Sequence, residues 1–137
     1  MAIVSLASTS CSNSNRIYPV SGKVMYAGHP ASDATVFFYR RGGDAMNDPL
    51  IMGIVQPDGS FELACGSIGK GAPAGDYDVV IEWKARSRHN GDQSNGRDKL
   101  NGRFSDTKHP LLHAKVEAEA NNLPPFDLRE TNPVSNR

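Results

Sequence analysis

The sequence predicts an all-β fold, and three observations carry the prediction. Thirteen glycines and nine prolines are spread along 137 residues, too frequent for long helices and well placed for short strands joined by turns. Apolar residues alternate with period two in several short runs, the pattern of a strand with one buried face. Between two such runs lies Gln56-Pro57-Asp58-Gly59-Ser60-Phe61: proline presets φ, aspartate bonds its own backbone, and glycine tolerates positive φ. That is a β-hairpin turn, and the glycine position suits a type I turn closing with a bulge.

The strands follow in order. Val20, Gly22, Val24 and Tyr26 share one face of a first strand against Ser21, Lys23 and Met25, and Ala27-Gly28-His29-Pro30 turns the chain. Ala34 to Arg40 is β-branched and aromatic, with Val36 and Phe38 on one face and Thr35, Phe37 and Tyr39 on the other. A polar loop from Arg41 to Pro49 leads to a strand over Leu50 to Gln56, which the hairpin turn joins to Ser60–Ala64 as the middle of an antiparallel sheet. Phe61 and Leu63 leave the turn on one face, Cys65 to Ala72 is irregular, and Ala72 to Tyr77 turns sharply into the strand Asp76–Trp83. There Tyr77, Val79 and Ile81 share a face and Trp83 caps its end. Leu112 to Glu117 is a short strand, Glu119 to Asn122 a turn, and Pro125 to Leu128 the closing strand. Seven strands with turn signals at short spacing predict a single antiparallel β-sandwich of prealbumin-like or immunoglobulin-like topology.

Around this domain, taken as residues 16–129, lie a leader (1–15) and a polar tail (130–137). Lysine plus arginine and aspartate plus glutamate both number 15, so the electrostatic footprint of a nucleic-acid binder is missing. Met1 to Ser10 is a run of apolar and small residues that ends in Cys11 and is followed by Ser-Asn-Ser-Asn. It resembles the end of a bacterial lipoprotein signal, in which the cysteine becomes the first mature residue and carries lipid. No basic segment precedes it, and Ser8 stands where leucine is usual; an upstream start, a degenerate signal and an ordinary frayed terminus all remain open. Cys65 is the only other cysteine. One bridge between the two would order the polar leader at an entropic cost, so the expectation is a lipidated Cys11 and an unpaired, partly buried Cys65.

Tyr18 to Pro30, Ala34-Thr-Val-Phe-Phe38, Gln56 to Phe61 and Gly71-Ala-Pro-Ala-Gly-Asp-Tyr77 together resemble the carboxypeptidase regulatory-like, or transthyretin-like, domain. Lys99 to Asp106, Pro110-Leu111 and Asn121 to Leu128 are similar to the small lipoproteins of planctomycete-type bacteria that carry it. Phe104 stands where tyrosine is expected. The resemblance covers most of residues 18–128 and implies an extracytoplasmic, lipid-anchored β-sandwich of unassigned activity.

The candidate chemistry is sparse. His29 lies in a turn and His89 in a basic stretch; His109 and His113 fall in an extended segment, where four residues separate side chains by roughly 13 Å, too far for one metal ion. Two enzyme families on related folds fail at their key residues. The Tyr-Arg-Gly-Ser tetrapeptide of transthyretin-like hydroxyisourate hydrolases is replaced by Asn132–Arg137, and Tyr18, Tyr26, Tyr39 and Tyr77 lack the His-x-His partner that intradiol dioxygenases use for iron. No catalytic residue, metal or cofactor is therefore expected. Residues 84–103 read as a long exposed basic loop contributing nothing to the core. In it Lys84, Arg86, Arg88, Arg97, Lys99 and Arg103 are a candidate contact for an acidic glycan, a lipid headgroup or a partner protein, against the simpler reading of a solvated loop. The expected function is a non-enzymatic, membrane-anchored module of the cell envelope, structural, adhesive, or binding a glycan or envelope protein. The alternatives are a small hydrolase or metal-dependent enzyme, and a purely structural domain without ligand.

Overall fold

The computed structural model of the chain describes residues 16–44, 46–86, 95–100 and 102–128; the leader with Cys11, Arg88, His89 and the polar tail lie outside them. Among the described residues the protein is all-β with no helix. The strands are β1 (Ile17–Tyr18), β2 (Val20–Tyr26), β3 (His29–Pro30), β4 (Thr35–Arg40), β5 (Ile51–Ile54), β6 (Ser60–Glu62), β7 (Ala64–Cys65) and β8 (Gly69–Lys70). They continue with β9 (Ala72–Pro73), β10 (Gly75–Glu82), β11 (Lys84–Arg86), β12 (Asn95–Asp98), β13 (Leu112–Val116), β14 (Asn121–Asn122) and β15 (Phe126–Leu128).

The larger sheet has the order β13-β10-β4-β5-β7-β8 and is antiparallel throughout. A second sheet is built around β2, which pairs antiparallel with β3 and β6 and parallel with β14 and β15. The parallel partners depart from the fully antiparallel expectation. They arise because the chain runs from β13 over to the second sheet through a turn built on the Asn121 side chain. Its Oδ1 accepts the Glu117 N–H (2.8 Å) and its Nδ2 donates to the Glu119 carbonyl (2.6 Å).

The alternating residues do what their spacing predicts. Val20 and Val24 of β2, Val36 and Phe38 of β4, and Tyr77, Val79 and Ile81 of β10 are buried with Phe61, Leu63, Cys65 and Leu128 in one cluster. Phe38 and Tyr77 meet at 5.6 Å between ring centres. Burial of this kind is worth about 1.5–3 kcal/mol for each large side chain.

The hairpin turn forms as predicted at its tip. The Gly59 N–H donates to Gln56 O (2.8 Å), the Gln56 N–H donates to Ser60 O (2.7 Å), and Gly59 has φ +93°. Asp58 Oδ1 accepts the Ser60 N–H (2.9 Å) and hydroxyl (2.6 Å), bonds that hold its carboxyl below the ordinary value. The arms, however, do not stay paired as the middle of one sheet. Ile51 and Met52 pair with Cys65 and Ala64, whereas Phe61 and Glu62 between them pair with Gly22 and Ser21 of β2. The strand 60–65 thus passes from one sheet to the other at Leu63, whose N–H reaches Val20 O (3.0 Å). Gly22 makes this crossing fit: a Cβ there would lie 2.9 Å from the Phe61 ring.

The expectation of an exposed loop over residues 84–103 is corrected in its described part, residues 84–86, 95–100 and 102–103. β11 and β12 pair as a hairpin, with Lys84 opposite Asp98 and Arg86 opposite Asn95, and Leu100 is only 4% exposed, inside the core cluster. Leu100 is drawn into the core because Asp98 fixes the backbone around it. Asp98 Oδ1 accepts the N–H groups of Trp83 (2.9 Å) and Leu100 (3.1 Å), and Oδ2 accepts that of Gly102 (2.9 Å). Cys65 to Ala72 is likewise more regular than expected, since β7 and β8 form a small hairpin.

Candidate functional site

The face of the larger sheet turned away from the core carries residues that alternate with the buried ones. Tyr39, Asp78 and His113 lie side by side across β4, β10 and β13, and Met52, Phe37 and Val80 form the next row across β5, β4 and β10. The Phe37 and Tyr39 rings are nearly parallel, 22° apart with centres 6.3 Å distant, and both are half-buried. Val80 is buried on this outer side, so the sheet is not simply apolar within and polar without.

Two side chains converge on a single oxygen of Asp78. Arg41 Nε donates to Asp78 Oδ1 at 3.0 Å, and His113 Nδ1 lies 2.9 Å from the same atom. Arg41 Nη2 is also 3.5 Å from His113 Nδ1. The group is open to solvent: side-chain exposure is 57% for Arg41, 47% for His113 and 25% for Asp78. Surface pairs of this kind contribute about 0–1 kcal/mol to folding. Asp78 Oδ2 has no partner among the described residues and is available as an acceptor.

Beside this row opens a groove of about 880 Å³, whose walls include Tyr39, Asp78, Asn47, Leu50, Thr107 and, at depth, Tyr77. The loop on one side of it is built on Asp44. That carboxylate accepts the Met46 N–H (2.9 Å) and the Asn47 side-chain amide, which hold its pKa below the ordinary value, while Asp48 Oδ2 accepts the Asp44 N–H (2.8 Å). Tyr77 donates its hydroxyl to Pro73 O (2.6 Å), and burial pushes its phenol up to about 12. Cys65, also in the wall, is a free and fully buried thiol. Burial raises its pKa, which keeps it protonated and unreactive.

Of the basic residues singled out in the sequence, three have described side chains, Lys84, Lys99 and Arg103. Lys84 is exposed at the start of β11, Lys99 sits with Nζ 4.5 Å over the Trp83 ring, and Arg103 donates its N–H to Leu100 O (3.1 Å). The backbones of Arg86 and Arg97 lie in β11 and β12, and Arg88 falls outside the described residues. Of the histidines, His29 is exposed and His109 pairs with Asp106 (3.2 Å), an Asp whose pKa is lowered by the Lys108 N–H and by His109. Among the described residues there is no group of three or more His, Cys, Asp or Glu side chains placed to hold a metal ion.

Sequence reasoning passed over Asp78 and Arg41, and considered His113 only as a metal ligand. The signal was present: Asp78 is a charge in the outward register of the most apolar strand, and Phe37 and Tyr39 are two aromatics on the outward face of its neighbour. Their meeting depends on strand pairing across 35 and 37 residues of sequence. Comparison with known protein families, curated proteins and solved structures finds no match to the chain.

Proposed function

We propose that the chain is a non-enzymatic β-sandwich module held outside the cytoplasm by a lipid on Cys11, which meets a component of the cell envelope through the outer face of its larger sheet. The observation that carries this reading is the placement of Phe37 and Tyr39, two half-buried rings on an outward sheet face, beside the Arg41–Asp78–His113 group at the mouth of the groove. Aromatic side chains that keep one face accessible next to polar anchors are the common currency of binding surfaces. The two sheets sharing one cluster of buried residues support the sandwich, and the basic hairpin is read as a solvated charge cluster around Lys99 and Trp83. Several acyl chains on Cys11 would make the attachment stable.

Two measurements test it. Protein extracted from membranes of the cells that make it should yield an N-terminal peptide beginning at acylated Cys11; an unmodified peptide retaining Met1 and a soluble product would remove the tether. In cell envelopes washed with detergent, so that lipid no longer contributes, the chain should sediment with the envelope and the Phe37→Ala/Tyr39→Ala double variant should stay in the supernatant. Equal sedimentation of the two would remove the contact surface. A small hydrolase is the second reading, favoured by the carboxylate–imidazole pair Asp78–His113, and Asp78→Asn would then abolish turnover of its substrate.

A further inference from the structure

Resting on the contact surface just described, we propose that the Tyr39–Asp78 corner of the groove is a subsite for one pyranose ring of an uncharged oligosaccharide. Three independent features meet there. The groove, at about 880 Å³, falls within the range of about 300–1,000 Å³ of small-molecule sites, which combine apolar walls with a few fixed polar groups. Tyr39 supplies a ring in its wall with a second, nearly parallel ring in Phe37 alongside. Asp78, Thr107 and Asn47 supply acceptors and donors in the same wall, with Arg41 bonded to Asp78.

A sugar ring has the matching chemistry. Its faces present C–H groups, which rest on an aromatic face, and its rim presents hydroxyls that each donate and accept. Asp78 suits such a rim: Arg41 and His113 both engage Oδ1, leaving Oδ2 to accept a hydroxyl proton while an Arg41 N–H donates to the neighbouring oxygen. Charge decides between ligand classes. Arg41 and Asp78 cancel, so this bonded pair carries no net charge and offers no advantage to an acidic or a basic ligand. A purely apolar segment would bury Asp78 and Arg41 without giving their hydrogen-bonding groups new partners, at a cost. A neutral sugar satisfies both the ring and the carboxylate. In this arrangement Tyr39 and Asp78 contact the ligand and His113 is a positioning residue.

The test is calorimetric titration of the 137-residue chain with cellohexaose, maltohexaose and the hexamer of N-acetylglucosamine, with hexagalacturonate as the acidic comparison. At least one neutral hexasaccharide should bind, Tyr39→Leu and Asp78→Ala should each weaken it tenfold or more, and His113→Gln should weaken it less than threefold. Tyr39→Leu keeps the apolar bulk, and the circular dichroism spectrum of each variant should match that of the parent. Absence of binding by all three neutral probes overturns the proposal, as does unchanged affinity in Tyr39→Leu, or tighter, salt-sensitive binding of the galacturonate. If the oligosaccharides fail while envelope sedimentation still depends on Phe37 and Tyr39, only the sugar assignment falls. If sedimentation is also indifferent to those rings, the contact surface falls with it.

Discussion

Two aspartates near β10 play opposite roles. Beyond its C-terminal end, Asp98 has both carboxylate oxygens filled by three backbone N–H groups and draws Trp83, Leu100 and Gly102 together. Trp83 is further fixed by Nε1 donating to Ser32 O (2.8 Å) and by edge-to-face contact with Tyr26 at 5.6 Å. Toward its N-terminal end, Asp78 is approached among the described residues by two exposed side chains, Arg41 and His113, both on one oxygen, in the wall of an open groove. An aspartate whose oxygens accept from backbone closes the fold, and one with an oxygen free on an open surface keeps an acceptor exposed to solvent.

The comparison breaks first at Leu100. If Leu100 anchors the segment around Asp98 to the core, Leu100→Ala should destabilise the protein by about 2–4 kcal/mol in urea denaturation. A loss near zero would return the stretch to a solvated loop and leave Asp98 with nothing to organise. Next comes the aspartate pair itself. Asp98→Ala strands three backbone donors and should cost about 1–3 kcal/mol, whereas Asp78→Ala removes an exposed pair and should cost about 0–1 kcal/mol. Equal losses from the two would erase the distinction between them.

Much of the β-architecture was legible because it is local. Period-two alternation marked Val20 and Val24, Val36 and Phe38, and Tyr77, Val79 and Ile81, and each of these is buried. The turn at Gln56–Ser60 was legible for the same reason: proline, aspartate and glycine act within five residues. What alternation does not encode is which strand pairs with which. Hence the passage of residues 60–65 between sheets, the parallel alignment of Phe126–Leu128 with β2, and the capture of Leu100 were missed. The site was missed for a related reason. A charge such as Asp78 in an outward register reads as ordinary surface until pairing sets Tyr39 on one side of it and His113 on the other.

A further small effect is expected at the buried wall of the groove, where Tyr77 sits one residue from Asp78 but faces inward. Its phenol is pushed up from an ordinary value of 10 to about 12, chiefly by burial. Below pH 10 the hydroxyl is protonated in both folded and unfolded chains, and its contribution to stability is complete. Between pH 10 and 12 the unfolded chain releases this proton while the folded one retains it, so the native state binds more protons and stability falls as pH rises. Tyr77→Phe removes the titrating group along with its hydrogen bond to Pro73 O. The variant should therefore be less stable by about 0.5–1.5 kcal/mol at neutral pH and lose less stability than the parent from pH 10 to 12. Urea midpoints measured across that range separate the two effects. Parallel declines would mean that water reaches the phenol through the groove, and the inner wall behind Asp78 would then be as open as the rim.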